Sequence, residues 1–460
     1  MRLVFGVARL LALCVLIALS AAAAAGQLVL RGGTIHTLDA ALPRATAIVI
    51  DAGRIVYVGD DKGARAHAGP DARVVDLAGR LVLPGLHDAH IHPMSGGIRL
   101  LEGNADEAAR QRRAPRTEAQ YREALRRSSA LLNRFGITSV FDGSAPPDVV
   151  AAYHAADRAG ELTVRVVAAQ RVDLARGPEQ AEEMVARRER VRGRRFNADA
   201  AKIFLDGEIG EHTAAMLAPY ANVPRTNGKL YAEPAALDAL VRRLDAEGFL
   251  VHMHAMGDRA VRAGLDAIER AMRANPARDR RHQLAHIGVA HPDDIPRFAR
   301  LGVGANFTPH WAHADDAAMA PIVAALGNAR ARWIHPIASI ANAGATITGS
   351  SDWPSDAMNP LVGIQVAVTR QPLDSSKAAV QPEERITLEA AITAYTRNAA
   401  WGAREEALNG TISRGKAADL VVFEENLFEV PIRNLHKVRV VLTLLEGEPV
   451  YRDPRFPWLP

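Results

Sequence analysis

Apolar and polar positions alternate in three textures along this chain. From Gln27 to about Leu83, short β-branched runs (Leu28-Val29-Leu30, Ala47-Ile48-Val49-Ile50, Arg54 to Val58, Arg73 to Leu77) are cut by Gly32-Gly33, Asp51-Ala52-Gly53 and Gly79. That punctuation predicts strands joined by tight turns. The last stretch repeats it, with Ala418 to Phe423 and Val438 to Thr443 as strands and turns at Asn409-Gly410 and Glu446-Gly447. Between them, eight apolar strands alternate with long Ala/Arg/Glu helices. The expected strands are Gly85–His92, Ile137–Phe141, Leu162–Ala168, Ala201–Leu205, Phe249–His254, Gln283–Ile287, Val303–Phe307 and Ala345–Gly349. That count and rhythm predict an α/β fold, a (β/α)8 TIM barrel, with one small composite β-sandwich built from both chain ends. An open doubly wound sheet would need a Gly-rich phosphate loop after an early strand, and the chain has none.

The resulting divisions are 27–83 and 405–460 for the two parts of the sandwich and 84–404 for the barrel. Residues 1–26 read differently. Arg2 and Arg9 precede an apolar run from Leu10 to Leu19, then Ser20 and a string of alanines up to Gly26. A basic start, a short apolar stretch and a small-residue end are the layout of a signal peptide, and predict a periplasmic or secreted protein. The run falls short of the roughly 20 residues a membrane span needs.

Composition narrows the chemistry. The 460 residues are 48% hydrophobic and 23% charged, with 56 basic against 52 acidic side chains, which suits a globular protein and gathers no nucleic acid by charge. The Arg-rich stretches at 110–127 and 187–195 are interleaved with glutamates and read as solvated amphipathic helices or loops. The expected partner is a small-molecule substrate, with no nucleic acid and, after cleavage at 26, no membrane; a homo-oligomer stays open. Cys14 is the single cysteine and lies in the segment to be removed. Any metal therefore falls to the carboxylates and the 16 histidines.

Those histidines are placed at strand ends. Pro84-Gly85-Leu86-His87-Asp88-Ala89-His90-Ile91-His92 puts Asp88, His90 and His92 on one strand face at the end where such barrels carry their sites. His254 ends the fifth strand, His286 the sixth, and Asp352 follows the eighth; Lys202 sits on the fourth. His252 shares a face with His254, while His310 and Trp311 follow the seventh strand as pocket candidates.

The Pro84-to-His92 stretch, Lys202-Ile203-Phe204-Leu205-Asp206-Gly207, His254-Ala255-Met256-Gly257-Asp258-Arg259, Gly349-Ser350-Ser351-Asp352-Trp353-Pro354 and Gly410 to Leu420 together resemble the amidohydrolase superfamily. Within it they are similar to amidohydrolase family 3, which includes N-substituted formamide deformylase. The resemblance implies one or two divalent ions, zinc first and Fe, Mn or Ni as substitutes. His90 and His92 would hold the first, His254 and His286 the second, a carboxylated Lys202 would bridge them, and Asp352 would touch a metal and shuttle protons. It implies a metal-dependent hydrolase that cleaves a non-peptide C–N bond (amide, N-formyl or cyclic amide). The alternatives are an esterase or lactonase on the same centre, or a barrel that binds a small molecule without turning it over. Three departures from the family stand out: His252 where an apolar residue is usual, Ala285 in place of an acid before His286, and Glu208 and Glu211 after Asp206-Gly207.

Overall fold

The structure is a computed structural model that describes residues 26–103, 116–313, 316–374 and 377–458. The expected signal segment with Cys14 lies outside the described residues, except for Gly26, and so does most of the basic stretch before Arg116. No helix among the described residues is long and apolar enough to cross a membrane.

Seven strands come first: β1 (Leu28–Arg31), β2 (Thr34–His36), β3 (Arg44–Ala45), β4 (Ala47–Asp51), β5 (Arg54–Gly59), β6 (Arg73–Asp76) and β7 (Leu81–Pro84). The barrel strands are β8 (Leu86–Ile91), β9 (Ile137–Ala145), β10 (Arg165–Arg171), β11 (Phe196–Phe204), β12 (Leu250–Ala255), β13 (Gln283–His286), β14 (Gly304–Phe307) and β15 (Ile347–Gly349). The chain ends with β16 (Leu420–Phe423), β17 (Val440–Leu445) and β18 (Glu448–Arg452).

Strands β8 to β15 form one parallel sheet in sequence order. Its two edges meet through backbone hydrogen bonds, Asp352 N–H to the His90 carbonyl and His92 N–H to the Trp353 carbonyl, both 2.9 Å. This is the (β/α)8 barrel that the alternation predicts. Strand β11 begins at Phe196, five residues before the expected Ala201, because Asn197 and Asp199 interrupt the apolar run that marks a strand in sequence. Pairing with β10 overrides the poor strand preference of those two residues.

The helices around the barrel follow their own sequence rules. Helix Glu118–Arg134 starts at Thr117, whose hydroxyl accepts the Gln120 N–H while Gln120 Oε1 accepts the Thr117 N–H. That capping box satisfies two otherwise orphaned donors. Helix Asp258–Ala274 buries Val261, Leu265, Ile268 and Ala271 on one face, the three-to-four spacing of an amphipathic helix.

Two further sheets flank the barrel. One is β5-β4-β1-β6; the other, β18-β17-β16-β7-β2-β3, joins both ends of the chain, with β7 antiparallel to β16 through Leu83 and Val421. Between the sheets lies a core that includes Leu30, Ile35, Ile48, Val82, Leu420 and Leu442. This sandwich is pinned to the barrel by Arg165 of β10. Its guanidinium is 2.7 Å from Asp419 and 3.0 Å from Glu446, and Glu446 also meets Arg194 and Arg195.

Candidate metal centre

Strand register places the interior side chains in layers. Lys202, His252 and Gln283 are paired neighbours in one row, and Phe204, His254, Ala285, Asn306 and Thr348 form the next. Every second residue points inward, so Lys202, His252 and His254 share the interior. His286 breaks the rule. It pairs with Ala255, on the outward parity of Met253 and Leu284. Its φ of +74° swings the ring inward instead, to 4.7 Å from the His90 ring and 4.8 Å from the His254 ring, centre to centre. Asp352 also has a left-handed backbone, with φ +52°. Such conformations are strained for residues with a Cβ and cluster at functional sites.

The imidazoles are buried and crowded. His90, His252 and His286 are at most 3% exposed. His90 Nε2 is 3.4 Å and His92 Nε2 3.2 Å from Asp352 Oδ1. Together His90, His92 and Asp352 offer ligand atoms that all lie within 4.8 Å of one another. Asp142, three residues before the end of β9, is 3.5 Å from His92 Nδ1 and accepts the Tyr153 hydroxyl at 2.8 Å. Gly143 beside it is required by space, since a Cβ there would stand 2.5 Å from His90 Nε2.

Hydrogen-bond accounting fixes the His90 tautomer. The Gln283 amide N–H donates to the Gly402 carbonyl at 2.7 Å, so Gln283 Oε1 faces His252 Nδ1 at 3.0 Å and accepts its proton. His252 Nε2 is then a bare lone pair. It accepts the proton on His90 Nδ1 at 2.7 Å, leaving His90 Nε2 as a lone pair toward Asp352.

Electrostatics follow from burial. Desolvation holds His90, His252 and His286 well below the usual histidine range and His254 at about 3, so all four rings are neutral. Burial opposes charge on His92 too, but the carboxylates of Asp142 and Asp352 outweigh it and raise that ring to about 9. Burial lowers the Lys202 amine to about 7.

The sequence pattern of the amidohydrolase family matches residues 98–451. The chain belongs to the amidohydrolase family. Among curated relatives, the protein YtcJ of Bacillus subtilis (strain 168) is 30% identical over 265 residues, which are 57% of this chain and 49% of that protein. The chain thus spans about half the length of that relative. A 5-methylthioadenosine/S-adenosylhomocysteine deaminase from Symbiobacterium thermophilum is 26% identical over 471 residues, 93% of this chain and 94% of that one. Among solved structures, an uncharacterised metal-dependent hydrolase from Pyrococcus furiosus superposes with a TM-score of 0.74 at 21% identity, covering 87% of this chain and 99% of that one. At that identity the likeness carries the fold.

In this amidohydrolase the donor set fits a divalent ion. His254 Nε2 and His286 Nδ1 are buried without a hydrogen-bond partner, and the carboxylates of Asp206 and Glu208 lie 3.7 and 4.0 Å from His254 Nε2. Leaving such atoms unsatisfied costs about 1–3 kcal/mol each, and neutral imidazoles with carboxylates are the ligands borderline metals take. The other sequence candidates are distributed around this cluster. Lys202 is 1% exposed with its Nζ 4.6 Å from the centre of the Phe204 ring. His252 does not line a pocket: it is 0% exposed and lies behind His90, because its strand row is one layer deeper than that of His254. His310 turns to Asp356, 2.6 Å away, while Trp311 stacks on His286 at 5.2 Å.

Two carboxylates escaped the sequence reading. One is Asp142, whose only signal was its position in Phe141-Asp142-Gly143 at a strand end. The other is Asp206, quoted in the Lys202-to-Gly207 stretch without a role of its own. Its carboxylate accepts the backbone N–H groups of Ala215, Met256 and Gly257 at 2.9–3.0 Å, tying the end of β11 to the loop that follows His254.

Proposed function

We propose that this amidohydrolase is a metal-dependent hydrolase of a non-peptide carbon–nitrogen bond: an amide, N-formyl amide or cyclic amide. The observation that carries the reading is the packing of the His286 ring between those of His90 and His254, with buried nitrogens on His254 and His286 that make no hydrogen bond, beside the His90–His92–Asp352 cluster. The deaminase relative, whose name denotes cleavage at a C–N bond, supports the bond class. His90 and His92 would hold one divalent ion and His254 and His286 a second, zinc being the expected metal. When bound, such ions lower the pKa of a water ligand toward 7 and polarise a carbonyl.

The remaining roles belong to the chain itself. Asp352 Oδ1, between His90 and His92, takes a proton from the attacking water and returns it to the leaving amine. Asp142 and His252 hold the rings of His92 and His90. Trp311, flat against His286, shields that side of the centre from water. Lys202 is buried, and at an amine pKa of about 7 a large neutral fraction is present at neutral pH. A neutral amine can add to CO2 with loss of a proton, giving a carbamate whose oxygens would bridge two cations.

Elemental analysis of protein never exposed to chelator tests the reading, together with a panel of N-formyl, N-acyl and cyclic amides. Lys202→Ala should lose metal. Asp352→Asn should keep much of it while turnover falls about 10²–10⁴-fold, the usual loss for a missing general base. Hydrolysis by a metal-free preparation, or full activity in Asp352→Asn, would refute this assignment.

A further inference from the structure

Beside His92 the barrel mouth opens into a cavity of about 480 Å³ whose lining includes Ser95, Arg99, Ser144, Arg171 and Ser355. Its position makes it the approach to the candidate centre, and its volume suits a small molecule. The lining is cationic. Among the described residues neither Arg99 nor Arg171 has a carboxylate within ion-pair distance; Arg116, which also lines the cavity, is paired with Glu102 at 3.2 Å.

Arg171 is the better placed of the two. It is the last residue of β10 and is paired in register with Lys202 on β11. Its Nε donates to the Ser144 hydroxyl at 3.0 Å. Ser144 is itself fixed, since its backbone N–H donates to Asp142 Oδ1 at 3.1 Å, and Asp142 meets His92. The guanidinium, on an exposed side chain, is therefore tethered near the candidate centre by a neutral partner that uses only its inner edge. Its two Nη groups remain to donate in parallel, the geometry that fits a carboxylate. Arg99 is oriented similarly, with one Nη donating to the Pro354 carbonyl at 3.0 Å. Asp142, the acid closest along this chain of contacts, has its oxygens taken by Tyr153, Ser144 and His92.

We infer that Arg171, assisted by Arg99, forms an anion subsite and that the substrate is an amide carrying a carboxylate, as in an N-acyl amino acid. The inference rests on the amide-hydrolase reading for the bond that is cleaved, but its recognition element stands apart from the chemistry.

The test uses two pairs of compounds on the metal-loaded enzyme. N-formylglycine is compared with N-formylethanolamine in turnover. N-methylsulfonylglycine, whose sulfonamide resists hydrolysis, is compared with N-methylsulfonylethanolamine in calorimetric binding. Each pair exchanges a carboxylate for a hydroxymethyl group. The acid should be favoured about 10- to 100-fold in binding and in kcat/KM, the worth of one or two charge-assisted hydrogen bonds. Arg171→Met should bring that ratio close to one, and Arg171→Lys should leave it intermediate, because a lysine keeps charge without the two-pronged geometry. Equal handling of acid and neutral partner, or a ratio that survives in Arg171→Met, would overturn the subsite. A binding preference with no turnover of any amide would uphold the subsite and refute the hydrolase reading. Turnover without charge preference would do the reverse.

Discussion

His252 shows how far one side chain's role depends on its surroundings. With no exposed atom, it converts the Gln283 amide into a proton position on His90 two bonds away. Residues behind metal-binding histidines typically contribute 10- to 100-fold to metal affinity. His252→Phe should therefore weaken metal retention by that order in dialysis against a competing chelator, with Gln283→Leu giving a smaller loss. A melting curve separates this from misfolding; unchanged metal affinity in a folded His252→Phe would show that the tautomer is set elsewhere. The residue pattern was only partly legible in the sequence. His90, His92 and His254 follow from strand alternation, and Asp352 from its place at a strand end. His286 was likewise named from its place at a strand end, but alternation assigns it to the outer face and only its φ of +74° turns it inward. A conformation a histidine rarely adopts is invisible to a rule about regular strands.

Elements position what residues cannot position alone. Strand β9 approaches β8 so closely at its end that position 143 has room for a hydrogen only. Gly143→Ala would press a methyl group against His90 Nε2 at 2.5 Å, displacing the ring that faces Asp352. Metal content and turnover should both fall, with a stability loss of about 1–3 kcal/mol from overpacking. Retention of full metal content in that variant, measured by elemental analysis, would mean the strand shifts instead. All eight barrel strands were readable from their apolar runs, as strands that are buried on both faces tend to be. What could not be read was register, and register decides that Lys202 and His252 share a row one step below His254. The role of Asp142 escaped for the same reason. A lone acid on a strand gains meaning only when His92, from the end of the preceding barrel strand, is set beside it.

Across the whole molecule, Arg165, Asp419 and Glu446 join the sandwich to the barrel, and this junction carries a pH signature. Burial works against charge on Glu446, yet the Arg195 hydrogen bond and the Arg165 and Arg195 charges hold its carboxyl down at about 2. A carboxylate whose pKa is lowered in the folded state adds stability above its ordinary value near 4.5, and that stability is lost as pH falls toward 2. Glu446→Gln should therefore lower stability by on the order of 2–3 kcal/mol at pH 7. The gap from the parent should narrow steadily below pH 4.5 in thermal melts; a gap independent of pH would show that packing, not charge, is what the glutamate supplies. Asp419 was visible in sequence as part of the Gly410 to Leu420 motif, but its partner stands 254 residues earlier, at Arg165. No local pattern announces such a pairing.

The closure of the barrel sets an order of events during synthesis. His90 and His92 leave the ribosome on the first barrel strand, and the edge that completes them follows much later: Asp88 accepts the N–H of Ser351, 263 residues downstream. At about 5–20 residues per second, that interval is roughly 13–50 seconds. Throughout it the first strand has one edge unpaired and its histidines lack Asp352. The nascent chain must therefore travel most of its length before it holds a site worth filling, and metal capture belongs to the end of its biogenesis.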